Sequence, residues 1–166
     1  MTQIPEPALQ AWLDQEDRHT AQVIRAYGTY IQYVGGDEAT GEPSFAYTVG
    51  LFGLGHPELL IFGLCPHDSA AALNDLSARV SAGADFAPGQ RLTVGVGDGA
   101  WRMMVESVPN PGSIVFAANR FYQRPDEASV PVLQLSYADA DGRFPGETGY
   151  ALEPWVQPRP GEFTAL

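Results

Sequence analysis

Between Phe45 and Leu64 the chain reads FAYTVGLFGLGHPELLIFGL, two apolar stretches parted by a glycine-rich interval that carries one imidazole and one carboxylate. Phe45, Tyr47 and Val49 alternate with Ala46 and Thr48, which is the two-residue period of a strand. Residues 59–62 are apolar without interruption, as in a central strand covered on both faces. His56, Pro57 and Glu58 occupy the joint. The rest of the pattern is read outward from these two strands.

Upstream, Leu9, Trp12, Leu13, Val23, Ile24 and Tyr27 recur at helical spacing between Pro7, a residue suited to a first turn, and Gly28, a natural stop. The polar interval 14–19, with Asp17 able to cap a second segment, leaves one long helix or two short ones open. His19 falls on this charged stretch as an exposed helix residue. Residues 29–34 are rich in β-branched and aromatic side chains, and Gly35, Gly36 and Asp37 begin a turn that runs to Pro43.

Downstream, Leu73, Leu76 and Val80 predict a helix after Cys65-Pro66-His67, capped by Asp68 or Ser69 and ended before Gly83. Residues 91–96 and 101–108 alternate around Gly97-Asp98-Gly99, the pattern of a tight hairpin. Ser113 is placed to cap a short helix through Tyr122, and 130–137 reads as the last strand. Asp139-Ala140-Asp141-Gly142 is a solvated turn, and Pro145, Pro154, Pro158 and Pro160 argue for an extended tail. The succession lacks the regular alternation of a parallel doubly wound sheet. It predicts an α+β fold with a mainly antiparallel sheet, or a partly closed barrel, and helices packed outside. The whole of 1–166 is expected to form a single domain, with 1–20 as an N-terminal helical extension and 146–166 as an extended proline-rich tail.

The charge of −11 and pI near 4.4 argue against nucleic acid or an anionic membrane as a partner. All nine cationic residues are Arg, which removes Schiff-base and P-loop lysine chemistry. No apolar run is long enough to span a bilayer. A lone cysteine, Cys65, and the lack of a basic-then-apolar start predict a cytoplasmic protein without an internal disulfide.

His56 beside Glu58 is a proton-transfer pair suited to neutral pH, with His56 as the carrier and Glu58 orienting it. The competing reading is a histidine bonded to the loop backbone. His56, Glu58, Cys65 and His67 match no structural-zinc spacing, so no metal site is assigned, and Cys65 is read as a small buried hydrophobe at a strand end. Neither glycine cluster opens a helix, so neither is a dinucleotide loop. The turn at Asp139 and Asp141 lacks the remaining ligands of a calcium loop.

Tyr47-Thr48-Val49-Gly50-Leu51, His56-Pro57-Glu58-Leu59, Leu133-Gln134-Leu135 and Asp141-Gly142-Arg143-Phe144-Pro145 occur in an order that resembles the bacterial family catalogued as domain of unknown function 4262, over roughly residues 21–149. The resemblance implies membership and a shared site around His56, Pro57 and Glu58, with no activity to transfer. The succession of strand, loop, strand and helix is also loosely similar to the FMN-binding split-barrel oxidoreductases, although their usual phosphate-binding motif is not recognisable.

These readings converge on a small-molecule-binding domain, with an enzymatic version using His56 and Glu58. Its pocket is expected to be lined by Tyr47, Thr48, Gly53, Gly55, Arg120, Phe121 and Tyr122. A flavin or other planar ligand is the first choice, because aromatic walls and arginines suit such a molecule. The alternative is a non-catalytic acidic protein-interaction module, immunity-like or regulatory, which the negative charge favours. The partner is thus a small molecule or a protein, a homodimer included.

Overall fold

A computed structural model describes residues 5–96 and 99–165. The first helix, α1 (Glu6–Tyr27), is unbroken and stops at Gly28, whose N–H donates to the Ile24 carbonyl at 2.7 Å. Strands β1 (Tyr30–Val34), β2 (Phe45–Val49) and β3 (Glu58–Phe62) follow. Next come α2 (Pro66–Ser81), the hairpin of β4 (Arg91–Val96) and β5 (Gly99–Ser107), α3 (Phe116–Phe121) and β6 (Val132–Tyr137). Gly97 and Asp98, the predicted hairpin turn, lie outside the described residues.

The six strands form one sheet in the order β1-β2-β3-β6-β5-β4. All pairs are antiparallel except β3 with β6, where Glu58 faces Val132 and Ile61 faces Leu135. The sheet is therefore mixed but mainly antiparallel. Its edges, β1 and β4, do not meet, so the partly closed barrel and the split-barrel likeness are corrected to an open sheet. Helix α2 packs against β1, β2 and β4 on one face and supplies the cover that closure would otherwise provide.

Strand alternation sorts the core into two layers. On one side Ala46, Leu59, Ile61, Leu133, Leu135, Met103 and Val105 meet Leu73, Leu76 and Val80 of α2. Full burial of a residue such as Leu76 contributes about 2 kcal/mol. On the other side Phe45, Tyr47, Val49, Leu60, Phe62 and Val132 meet Ile114, Val115 and Ala118 at the start of α3, together with Phe163 of the tail.

Two helix starts differ from the sequence expectation. Cys65 is exposed and is itself the N-cap of α2, its Sγ accepting from the Asp68 N–H at 3.4 Å. It is not a buried hydrophobe, because Pro66 fits the first helical position and moves the start ahead of Asp68. Ser113 lies in a short 3-10 turn (Pro111–Ser113), and α3 begins only at Phe116, without a capping side chain from its own N-cap, Val115. The cap comes instead from β2, where the Tyr47 hydroxyl accepts from the Ala117 N–H at 3.0 Å.

The tail contains no helix or strand among its described residues, yet it is tied down along its length. Gln157 donates to the Tyr137 carbonyl and accepts from the Tyr137 N–H, each at 3.0 Å, as a neighbouring strand would. Gln134 donates to the Pro158 carbonyl, Arg159 pairs with Glu106, and Phe163 packs edge-on against Phe45 and Phe62.

Candidate functional site

Glu58 is the first residue of β3 and is fully buried. Its Oε1 accepts from the Thr48 hydroxyl and the Leu51 N–H, each at 2.9 Å, and its Oε2 from the N–H groups of Gly50 at 3.0 Å and Phe52 at 3.3 Å. Three consecutive backbone N–H groups thus converge on one carboxyl group. The turn requires Gly50, whose φ is +136° and where a Cβ would lie 3.1 Å from the Gly28 carbonyl oxygen. Burial pushes the Glu58 carboxyl above its ordinary value, and the four donors pull against that rise.

His56 lies two residues before β3, so strand alternation does not govern its direction. It is buried, with Nδ1 at 2.7 Å from the Pro57 carbonyl oxygen and Nε2 accepting from the Phe86 N–H at 3.1 Å. These partners assign the neutral tautomer that carries its hydrogen on Nδ1. Both ring nitrogens are occupied by backbone, and no hydrogen bond joins His56 to Glu58. The exposed Asp85 carboxylate stands 3.9 Å from Nε2.

The remaining expected residues divide between two regions. Thr48 and Tyr47 serve Glu58 and α3, as described. Gly53 donates its N–H to the Tyr122 hydroxyl at 3.2 Å, while Gly55 closes the 3-10 turn (Phe52–Leu54) with a 3.0 Å bond to the Phe52 carbonyl. The Tyr122 ring meets Phe52 edge-on at 4.9 Å and Phe121 at 5.0 Å. Burial raises the Tyr122 hydroxyl above its usual value, with Glu58 adding to the rise. Arg120 turns away to α1, where it bonds to Asp17 at 2.6 Å and to the Leu13 carbonyl at 3.2 Å. Tyr122 thus holds the loop between β2 and β3 from outside, through Gly53 and Phe52. Among the described residues, no group of three or more His, Cys, Asp or Glu side chains is placed to hold a metal ion.

A depression of about 710 Å³ opens elsewhere, beyond the adjoining ends of β5 and β6. Trp101 and Tyr137 meet edge-to-face at 4.8 Å and form its aromatic wall, with Leu152 and several alanines beside them. Its rim carries Arg102 and the turn from Asp139 to Gly142. Asp139 is the keystone of that turn: Oδ1 accepts from the N–H groups of Asp141 and Arg143 and Oδ2 from that of Ala151, all at 2.9 Å. These donors, Arg143 first, hold its carboxyl below the usual carboxylate range. Asp141 lies 3.6 Å from the Arg143 guanidinium.

Sequence reasoning took 139–142 as a solvated turn and did not connect it with Trp101. The available signal was a turn at the end of a strand that pairs with the Trp101 strand. The partner residues are 36 or more positions away, beyond the reach of local patterning.

The class of protein is therefore an α+β domain built on an open mixed sheet, with a loop gathered around a buried glutamate and an aromatic depression at the end of the central strands. Residues 23–151 match the family described as Domain of unknown function (DUF4262), and the chain belongs to that family. No curated protein and no solved structure matches it. No helix among the described residues is long and apolar enough to cross a membrane.

Proposed function

We propose that the chain is a small-molecule-binding domain that takes a planar ligand into the depression between Trp101, Tyr137 and the 139–142 turn. The observation that carries this reading is the make-up of that space. Its volume, about 710 Å³, falls within the roughly 300–1,000 Å³ of small-molecule sites, which join apolar walls to a few polar groups. Two aromatic rings and one guanidinium match that description. In this reading His56 and Glu58 shape the loop and carry no proton for a substrate, because their polar atoms already have partners within the protein.

The test is titration of the purified full chain with planar probes, riboflavin and FMN first, followed through tryptophan fluorescence. Binding is expected to quench the Trp101 contribution and to be lost in Trp101→Ala while the far-UV circular dichroism stays native. Retention of affinity in that variant removes the reading.

The competing reading, a protein-interaction module, draws on a different observation. On the outer part of α1, Leu9 and Trp12 are exposed, Trp12 to 56%. Were this a face for a second copy, sedimentation equilibrium should show a dimer that Trp12→Ser dissociates. A monomer at all concentrations rejects the homodimer.

A further inference from the structure

We infer that the ligand of the Trp101–Tyr137 depression carries an oxyanion, a carboxylate or phosphate on an aromatic ring, and that Arg102 recognises it. The inference rests on the reading of that depression as the binding site, and adds the chemical class of what enters it.

The argument begins with the arginines. Arg79, Arg91, Arg120, Arg143 and Arg159 each lie within ion-pair distance of a carboxylate, and Arg124 donates to the Ala128 carbonyl. Arg18 donates to the Asp14 carbonyl. Arg25 and Arg102 have neither an ion pair nor a side-chain hydrogen bond among the described residues, although the chain carries twenty acidic side chains; Arg25 lies on α1, whereas Arg102 lines the depression. In a chain of net charge −11, an arginine without a partner keeps its five N–H donors available for an acceptor from outside.

The Arg102 side chain is exposed and lies along the 139–142 turn. Arg102 extends beside the turn so closely that a Cβ added to Gly142 would lie 3.0 Å from Nη1. Gly142 also has a φ of +81°, so this turn favours glycine for its backbone. The carboxylates nearby do not compete for Arg102. Asp139 accepts three backbone N–H bonds, and Asp141 faces Arg143. What the depression offers a visitor is therefore an aromatic wall and a vacant planar fork, a pairing that suits a flat ring with a carboxylate or phosphate bound bidentately.

The experiment uses the full chain and four matched probes, namely naphthalene-2-carboxylate, 2-naphthyl phosphate, 2-naphthamide and 2-naphthylmethylamine. Binding is followed through the Trp101 indole N–H resonance, assigned with Trp101→Phe. At least one anionic probe is expected to bind about tenfold or more tighter than the amide, the scale of a charge-assisted hydrogen bond. That advantage should vanish in Arg102→Gln, shrink in Arg102→Lys, which keeps the charge without the fork, and fall with added salt. Which anion leads distinguishes carboxylate from phosphate. Equal or tighter binding of the amide or the amine, or an anion preference that survives Arg102→Gln, overturns the inference and leaves the depression as a binding site. If no probe of any charge moves the Trp101 resonance, the site itself is lost, and this inference with it.

Discussion

Thr48 stands between two backbone systems and joins them through Glu58. Its hydroxyl donates to Glu58 Oε1 at 2.9 Å and accepts from the Leu59 N–H at 2.9 Å, so a side chain takes the place of a ladder bond where β2 and β3 separate. The carboxyl group then gathers the N–H groups of Gly50, Leu51 and Phe52. A loop that would leave three donors buried and unpaired is thereby satisfied.

Replacing either partner should expose that dependence. Thr48→Val keeps the shape but leaves the Leu59 N–H unpaired, at a cost of about 1–3 kcal/mol. Glu58→Gln turns an amide N–H2 toward backbone donors and should cost about 2–4 kcal/mol. The double variant should lose less than the two added together, because both act through one network. Urea denaturation of the three variants measures all of this.

The pH dependence of the same group has a definite sign. Burial raises the folded carboxyl above its ordinary value, so the native state holds this proton to a higher pH than the unfolded chain does. Stability from Glu58 is then fully present below the unfolded value and declines as pH rises through the window up to the folded one. Stability of the wild type relative to Glu58→Gln should fall across that window. A rise there would mean that the four donors outweigh burial.

His56→Ala tests the role of the imidazole. The substitution removes the partner of the Phe86 N–H and of the Pro57 carbonyl, both at hydrogen-bond distance, and an edge contact with the Phe86 ring at 5.8 Å. A loss of about 2–3 kcal/mol in denaturant is expected. Native stability in His56→Ala would instead return the residue to the list of site candidates.

Tyr47 should give the protein an alkaline liability. Desolvation pushes its hydroxyl from 10.0 up to about 12, and the side chain is only 2% exposed. A raised folded value means that stability is complete below the unfolded value and is lost as pH climbs through the folded one. A rise of that size corresponds to about 3 kcal/mol. Tyr47→Phe lacks this group, so its stability should fall less between pH 9 and 12 than that of the wild type, although it starts lower for want of the acceptor that caps Ala117.

The elements were legible because their signals are local. Alternation at Phe45, Tyr47 and Val49 and the helical spacing of Leu73, Leu76 and Val80 each mark one element, and each is found where expected. The parallel register of β3 and β6 was not legible, since it joins Glu58 to Val132, 74 positions further along the chain. His56 and Glu58 were singled out as a polar pair in an apolar stretch, which they are, but their partners come from distant backbone at Phe86 and from the Gly50 turn. The depression was missed for a related reason: Trp101, Tyr137 and Leu152 belong to three separate segments. Prolines alone spoke for the tail, and they say nothing of what its side chains bind.

That tail yields the last prediction. Gln157, only 2% exposed, pairs with both polar atoms of the Tyr137 backbone and donates to the Tyr150 hydroxyl at 2.5 Å. A side chain is thus extending the central strand β6 past the end of β3. Gln157→Ala leaves the Tyr137 N–H and carbonyl buried without partners and should cost about 2–4 kcal/mol. Gln157→Glu keeps the acceptor for the N–H but sets a carboxylate oxygen against the carbonyl, so at neutral pH it should be at least as damaging as alanine. Amide hydrogen exchange supplies the local reading: the Tyr137 amide should lose protection in Gln157→Ala beyond the loss at Leu133 in the middle of the same strand. Equal losses at both positions would show that Gln157 contributes to the whole sheet and not to this end of β6.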